Sequence, residues 1–386
     1  MNVFPWLIPL LTLIVIALTL YAVWLTLRAP LLDPLAPNTA DLPPLSVVIA
    51  ARDEEERIAE AAVSLLAQDY PNLEVILIDD RSSDRTGAIL DDLATNEPKL
   101  KVIHIETLPE GWLGKVYGLH VGITQARGDW ILFSDADVHF APNTLRRAVA
   151  HAQRRGLDHL ALFPHMISSG FWHEAVMAAF RVFFLIGTRL HEVDDPNKPT
   201  ALGVGGFNLF RRTVFDRTPG MAWLKDEVVD DVGLARMLKG AGGRNGWGFA
   251  GEAVSLVWYP SLKAMFFGLE KNLFGAVAHY SYLRLGLQIT AMWGLAAAPI
   301  LALFQPEGWI QGLGVAALLL TATGAAVAKV RFGMDLLPSL AAPLGQFVVG
   351  VMMLHAGYRC WRQGGVNWRG TIYPVETLKQ GQRVKF

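Results

Sequence analysis

Apolar and polar positions divide the chain into three patterns. Residues 3–27 carry no charge, enough for one helix across a hydrocarbon core of roughly 30 Å. The run exceeds the roughly 7–15 residues of a secretory h-region, has no basic flank before it and ends in Arg28 without a clear small-residue cleavage site, so it reads as a retained anchor. From Leu45 the pattern changes to short apolar runs separated by helical periodicity. The runs 45–50, 73–78, 100–105 and 130–133 recur at intervals of roughly 30 residues, as in βαβ units around a mostly parallel sheet. Between the first two, Ile58, Ala62, Leu65 and Leu66 share one helical face and Pro71 closes that helix. The third pattern is apolar again: 285–304, 310–328 and 336–354 are further candidate spans, the last interrupted by Pro338 and Pro343 and expected to be re-entrant or interfacial. The mixed segments 171–190 and 258–283 read either as interfacial helices that dock on a bilayer or as helices that pack against the sheet.

The expected organisation is therefore an anchor (1–28), a Pro-rich linker (29–44), an α/β catalytic domain (45–257), interfacial helices (258–284), transmembrane or re-entrant segments (285–358) and a tail (359–386). Composition agrees with a polar domain joined to membrane spans. Hydrophobic residues make up 52% of the 386 and charged residues 18%, with a mean hydropathy of +0.31, too apolar for an ordinary cytosolic enzyme and too polar for a pure transporter. No Lys or Arg precedes the anchor and Arg28 follows it, which places the middle of the chain in the cytoplasm and makes the protein a multi-pass membrane protein. A formal net charge of −1 offers no basic stripe for a polyanion, so no nucleic-acid partner is expected. The single Cys360 excludes an internal disulfide and a Cys-based zinc site.

Candidate chemistry lies in three acidic clusters. Asp135 and Asp137 follow the apolar run Trp130-Ile131-Leu132-Phe133. One reading is a turn in which Asp bonds its own backbone. The other makes Asp137 a metal ligand and Asp135 a ligand of metal or ribose, with His139 as a possible third donor; a hard cation held by one or two carboxylates and completed by substrate phosphates is the usual Mg²⁺ arrangement. Asp79-Asp80 follows the second run, where ligands bind in open α/β sheets. A carboxylate there can accept from a pyrimidine N–H, or the stretch is a solvated loop with Ser83 or Asp84 capping a helix. The third cluster puts Asp226, Glu227, Asp230 and Asp231 within six positions. These acids suit a helix N-terminus, and their mutual repulsion also raises pKa values in the direction a general base needs. No P-loop is present, and Gly203-Val204-Gly205-Gly206 lacks the third glycine of a dinucleotide fingerprint.

The order Val47 to Glu55, Asp79 to Asp84, Asp135-Ala136-Asp137 and Asp230 to Arg236 resembles the membrane-bound family 2 glycosyltransferases of GT-A fold, over about residues 45–282 and again at Trp368 to Tyr373. Gly111 to Lys115, Gly205 to Arg212 and Tyr259 to Leu262 are similar to the lipid-glycosylating branch, which includes hopanoid-associated, carotenoid and ceramide glycosyltransferases. The resemblance implies a Rossmann-like α/β domain with N- and C-terminal transmembrane helices, a nucleotide-sugar donor of UDP-hexose type, a membrane-lipid acceptor, the bilayer as a partner, and Mg²⁺ or Mn²⁺ as cofactor. It implies that Asp80 reads uracil with Asp53 or Glu54 nearby, that Lys115 reaches the diphosphate, and that Asp135 and Asp137 hold ribose and metal. Asp231, beside Asp230, takes the acceptor proton, and Arg369 with Trp368 closes over the pyrophosphate. Many relatives carry Q/R-x-x-R-W where this chain has Trp368-Arg369-Gly370, so an interfacial anchor is an equal role for Trp368. The implied reaction is a single inverting displacement by a hexosyltransferase. A processive polysaccharide synthase, or a membrane transport protein with a nucleotide-sensing domain, are the alternatives.

Overall fold

The computed structural model describes residues 4–34, 42–270, 273–368 and 371–384. The N-terminal apolar run forms one helix, α1 (Phe4–Arg28). The four expected strands follow as β1 (Leu45–Ala51), β2 (Leu73–Asp80), β3 (Leu100–Ile105) and β4 (Trp130–Ser134), linked by α2 (Ile58–Leu66), α3 (Thr86–Asn96) and α4 (Gly114–Gln125). β1 lies between β2 and β4 in parallel, with Val47 opposite both Val75 and Leu132. These three strands are buried nearly end to end, the condition that produces continuous apolar runs instead of alternation.

The second half of the sheet departs from the parallel expectation. It comprises β5 (His139–Phe140), α5 (Thr144–Arg154), β6 (His159–Met166), α6 (Phe171–Gly187), β7 (Asn208–Arg211), α7 (Arg212–Phe215), α8 (Asp230–Gly240) and β8 (Asn245–Leu256). The eight strands run β3-β2-β1-β4-β7-β6-β8-β5. β7 is antiparallel to both β4 and β6, and β5 is antiparallel to β8, while β6 and β8 are parallel. The sheet is therefore mixed. β5 and β7, two and four residues long, are too short to show a periodicity that separates them from loop.

Beyond β8 come α9 (Leu262–Gly268), a turn of π-helix over Leu273–Val277, α10 (Tyr282–Ala302), α11 (Gly308–Phe332), α12 (Leu336–Leu340), α13 (Ala342–Gln363), the hairpin β9 (Gly365–Trp368) and β10 (Thr371–Pro374), and α14 (Val375–Gly381). Among the described residues three helices are long and apolar enough to cross a membrane: Trp6–Arg28, Tyr282–Ala302 and Gly308–Phe332. The expected segment 336–354 breaks at Ala341 into α12 and α13. Pro343 falls in the first turn of α13, where a missing N–H leaves no bond unmade. The expected helix 258–283 is not continuous. α6 forms and packs on α12 and α13, burying His173 to Ala179, while Phe184 near its end packs on Phe163 of β6 with ring centroids 5.5 Å apart.

α1 and α11 lie side by side in the same direction. Trp6 and Trp309 pack at their starts, with ring centroids 6.1 Å apart, and Arg331 Nη2 donates to Ala29 O at 3.1 Å near their ends. The chain leaving α1 is stitched into the sheet: Leu32 N donates to Phe249 O at 2.9 Å and Phe249 N to Pro30 O at 2.8 Å.

Candidate active site

The acidic motifs converge beyond the carboxyl ends of β1, β2 and β4, the edge where open α/β sheets bind ligands. Lys115, the second residue of α4, joins two of them: its Nζ lies 2.7 Å from Asp135 Oδ1 and 3.5 Å from Asp230 Oδ2. It is not the solvated lysine of an ordinary helix start. Burial works against its charge, but Asp135, Asp230 and Asp231 outweigh burial and hold its pKa above the usual value.

Asp230 and Asp231 are the first two residues of α8, so the helix-dipole reading of this pair describes their position correctly. Burial and then the neighbouring Asp230 push the Asp231 carboxyl up to about 7, with Asp135 adding to the effect and Lys115 and the Val232 N–H opposing it. That N–H donates to Asp231 Oδ1 at 2.8 Å. The loop before β7 makes room for these acids. A methyl group on Gly203 would overlap the Asp231 carbonyl oxygen, and one on Gly205 would sit 2.6 Å from Asp135 Oδ2. Asn208, at the start of β7, donates to the Asp231 carbonyl at 3.5 Å and is held from behind by His159 Nε2 at 3.0 Å.

Asp137 follows the turn after β4 and meets Arg57 Nη1 at 3.3 Å. The same nitrogen donates to Val257 O at 3.2 Å. Burial, Asp135 and Glu54 together lift Asp137 to about 6 despite Arg57. His139 lies in β5, paired with Ser255, and no group of three His, Cys, Asp or Glu gathers among the described residues; the structure does not bring His139 in as a third ligand. The donor set still fits a hard cation. Asp135 and Asp137 offer hard carboxylate oxygens, and a divalent ion there would draw its remaining ligands from a substrate phosphate.

Asp79 and Asp80 end β2, buried and pointing to opposite faces, not in a solvated loop. Asp80, 3% exposed, is forked by its neighbour Arg81 through Nε at 2.8 Å and Nη2 at 3.1 Å. A side chain on Gly114 would overlap Asp80 Oδ2, so this carboxylate borders the start of α4 one residue from Lys115. Asp79 instead braces the turn: Oδ1 accepts from Ser82 N at 3.2 Å and Oδ2 meets His104 Nδ1 at 2.9 Å. Asp53, at a positive φ of 52°, accepts from Ser83 N at 2.7 Å. Glu54 N donates to Thr86 Oγ1 at 2.8 Å. The loops after β1 and β2 thus lock together beside Asp80. Ser83 and Asp84 are not the N-cap of α3, though Asp84 Oδ1 accepts from Thr86 N at 2.9 Å.

Trp368 belongs to β9, opposite Thr371. Arg369 lies outside the described residues. A cavity of about 370 Å³ lined by Leu73, Glu74, Leu100, Lys101 and Arg127 opens at the other end of β2 and β3 and holds none of these acids.

Arg57 and Gly203 were given no part in the expected site, and Gly205 and Asn208 stood only within the motif Gly205 to Arg212, without a role of their own. The paired spacing of the two glycines before a short strand was the available signal for close backbone approach.

Residues 46–218 match the family model described as Glycosyl transferase family 2. The 4,4'-diaponeurosporenoate glycosyltransferase of Staphylococcus haemolyticus (strain JCSC1435) is 26% identical over 196 residues, covering 50% of this chain and 50% of that protein. The beta-monoglucosyldiacylglycerol synthase of Trichormus variabilis (strain ATCC 29413 / PCC 7937) is 31% identical over 202 residues, covering 50% of this chain and 40% of that protein. The chain thus spans half or less of the length of these curated relatives. Among solved structures, the mannosyltransferase PcManGT from Pyrobaculum calidifontis in complex with GDP-Man and Mn²⁺ superposes with a TM-score of 0.51 at 20% identity, covering 88% of this chain and 99% of that one. The mixed sheet, its acid-lined carboxyl edge and these matches identify residues 46–218 as a family 2 glycosyltransferase domain on a GT-A fold.

Proposed function

We propose that the protein transfers a hexose from a nucleoside diphosphate, of UDP type, to the hydroxyl or carboxyl group of a membrane lipid, with inversion at the anomeric carbon. The observation that carries this reading is Lys115, which ties the Asp135-x-Asp137 turn to the Asp230-Asp231 pair and so brings a diphosphate-binding element and a carboxylate raised to about 7 to one place. Asp231 accepts the acceptor proton as the acceptor oxygen attacks the anomeric carbon. The bond from that carbon to the diphosphate oxygen breaks in the same step, and the departing charge faces Lys115. Asp80, beside Asp53 and Glu54, borders the base, and Asp135 the ribose. Mg²⁺ or Mn²⁺ held by Asp137 and Asp135 would supply further charge neutralisation for the leaving diphosphate. Arg369 and Trp368 are assigned to the same diphosphate.

The lipid acceptor is supported by the carotenoid and diacylglycerol glycosyltransferases among the relatives and by three apolar helices of spanning length. With these as crossings, the domain lies on the cytoplasmic side, where Arg28, Lys329 and Arg331 end α1 and α11. The test is mass spectrometry of lipid extracts from cells with and without the gene, paired with transfer by the purified full chain in detergent from radiolabelled UDP-hexoses. One lipid class gaining one hexose mass supports the reading. No lipid change together with no transfer to any lipid fraction would sink it.

A further inference from the structure

Glu227 belongs to the third acidic cluster but takes no part in the chemistry above. It is 3% exposed, and burying a carboxylate is costly unless hydrogen bonds replace its water. Here much of the replacement comes from the far end of the chain. Oε2 accepts from Arg383 N at 2.5 Å and Val384 N at 2.9 Å, while Oε1 accepts from Val229 N at 3.0 Å. Further ties surround this latch: Arg236 Nη1 donates to Arg383 O at 3.2 Å, and the Arg383 guanidinium lies 5.5 Å from the centre of the Trp223 ring.

The fastened tail carries the β9–β10 hairpin. Tyr373 in β10 packs, with Val228 and Trp112, against the buried cluster that contains Ile78, Leu113 and Val116. Its phenol bears electrostatically on Arg81, whose guanidinium is held mainly by Asp80. On the other side, Lys225 O accepts from Leu113 N at 2.8 Å, immediately before α4 begins. The loop 225–229 therefore touches the tail, the start of α4 and, one residue later, the start of α8.

We propose that Glu227 is a positioning residue: it fastens the C-terminal tail to the loop before α8, so that the β9–β10 hairpin forms a wall of the nucleoside-diphosphate site at Asp80 and Arg81. The inference rests on the reading of that site as a nucleotide site. It is tested on the full chain in detergent, on E227A and E227Q, and on a chain ending at Gly381, by calorimetric affinity for UDP and GDP and by amide hydrogen exchange. In E227A exchange over 371–384 accelerates and affinity for the tighter diphosphate falls about tenfold, the scale of one charge-assisted hydrogen bond lost. Truncation gives the same loss, and truncation combined with E227A gives no further loss, as expected for two changes to one contact. E227Q, which keeps one accepting oxygen, falls between. Faster exchange with unchanged affinity would reduce Glu227 to a structural tie and overturn the proposal, as would unchanged exchange in E227A. If the unmodified chain binds neither diphosphate, the nucleotide reading itself falls; intact binding that E227A leaves unaltered overturns the positioning role alone.

Discussion

Two adjacent carboxylates at one helix start sit in different electrostatic settings. Asp230 shares Lys115 with Asp135, while Asp231 is raised to about 7 by burial and by Asp230. Removing the Asp231 charge should cost transfer on the order of 10²–10⁴-fold, the usual worth of a general base. In a transfer assay beside a binding assay, Asp231→Asn loses turnover and keeps nucleotide affinity; turnover at the wild-type rate would contradict the assignment. The same variant carries a stability signature. An acid whose folded pKa exceeds its unfolded value holds an extra proton when folded, so stability falls as pH rises from about 4 to about 7. Thermal unfolding at pH 8 should therefore show Asp231→Asn more stable than the parent, with the advantage vanishing at pH 4. In the parent, transfer should rise with pH through about 7 as Asp231 loses its proton. Asp230→Asn removes a like charge and should move that limb to lower pH, leaving Lys115 and Asp135 as the charged groups facing Asp231. A limb that stays in place would show that burial alone sets it.

The elements that hold these residues differ in how plainly the chain announces them. Strands β1, β2 and β4 were legible because buried parallel strands produce long apolar runs, and the acids at the ends of β2 and β4 stand out against those runs; β3, at the sheet edge, showed as a short run with polar positions at Lys101 and His104. β5 and β7 were not legible, since two- and four-residue strands owe their form to pairing with β8, β4 and β6 and not to local preference. The glycine loop before β7 carries a test at this scale. Gly205→Ala places a methyl group 2.6 Å from Asp135 Oδ2 and should pull that carboxylate from Lys115. Nucleotide affinity is expected to drop about tenfold while the fold persists; unchanged affinity in titration calorimetry would show that the loop yields. Asp80, Asp135 and Asp231 could be named as candidates from spacing, but the contacts of Arg57, Asn208 and Glu227 could not. Those contacts join residues dozens to more than a hundred positions apart, and nothing local marks them.

For the whole molecule, the hydrogen bonds from Arg383 and Val384 to Glu227 require the tail and the α/β domain to lie on one side of any membrane. With α10 and α11 as crossings the chain returns to that side, whereas 336–354 as a further crossing would carry the tail away from it. Aromatic pairs mark the two levels. Trp6 with Trp309 stands at one end, and Tyr21 with Trp24, beside Arg28, at the other. Eighteen residues of helix between Trp6 and Trp24 rise about 27 Å, close to the thickness of a hydrocarbon core. The bridge of Pro30 and Leu32 to Phe249 then leaves almost no slack between anchor and sheet. On the proposed function, the carboxylates at the sheet's carboxyl edge would ride at a set stand-off from the headgroup plane, and acceptors are expected to be selected by how far their reactive group projects. Six Gly/Ser residues inserted between Arg28 and Ala29 should lower transfer to a bilayer-resident lipid relative to a short-chain, detergent-dispersed analogue of the same lipid. An unchanged ratio of the two rates would mean that reach is set elsewhere.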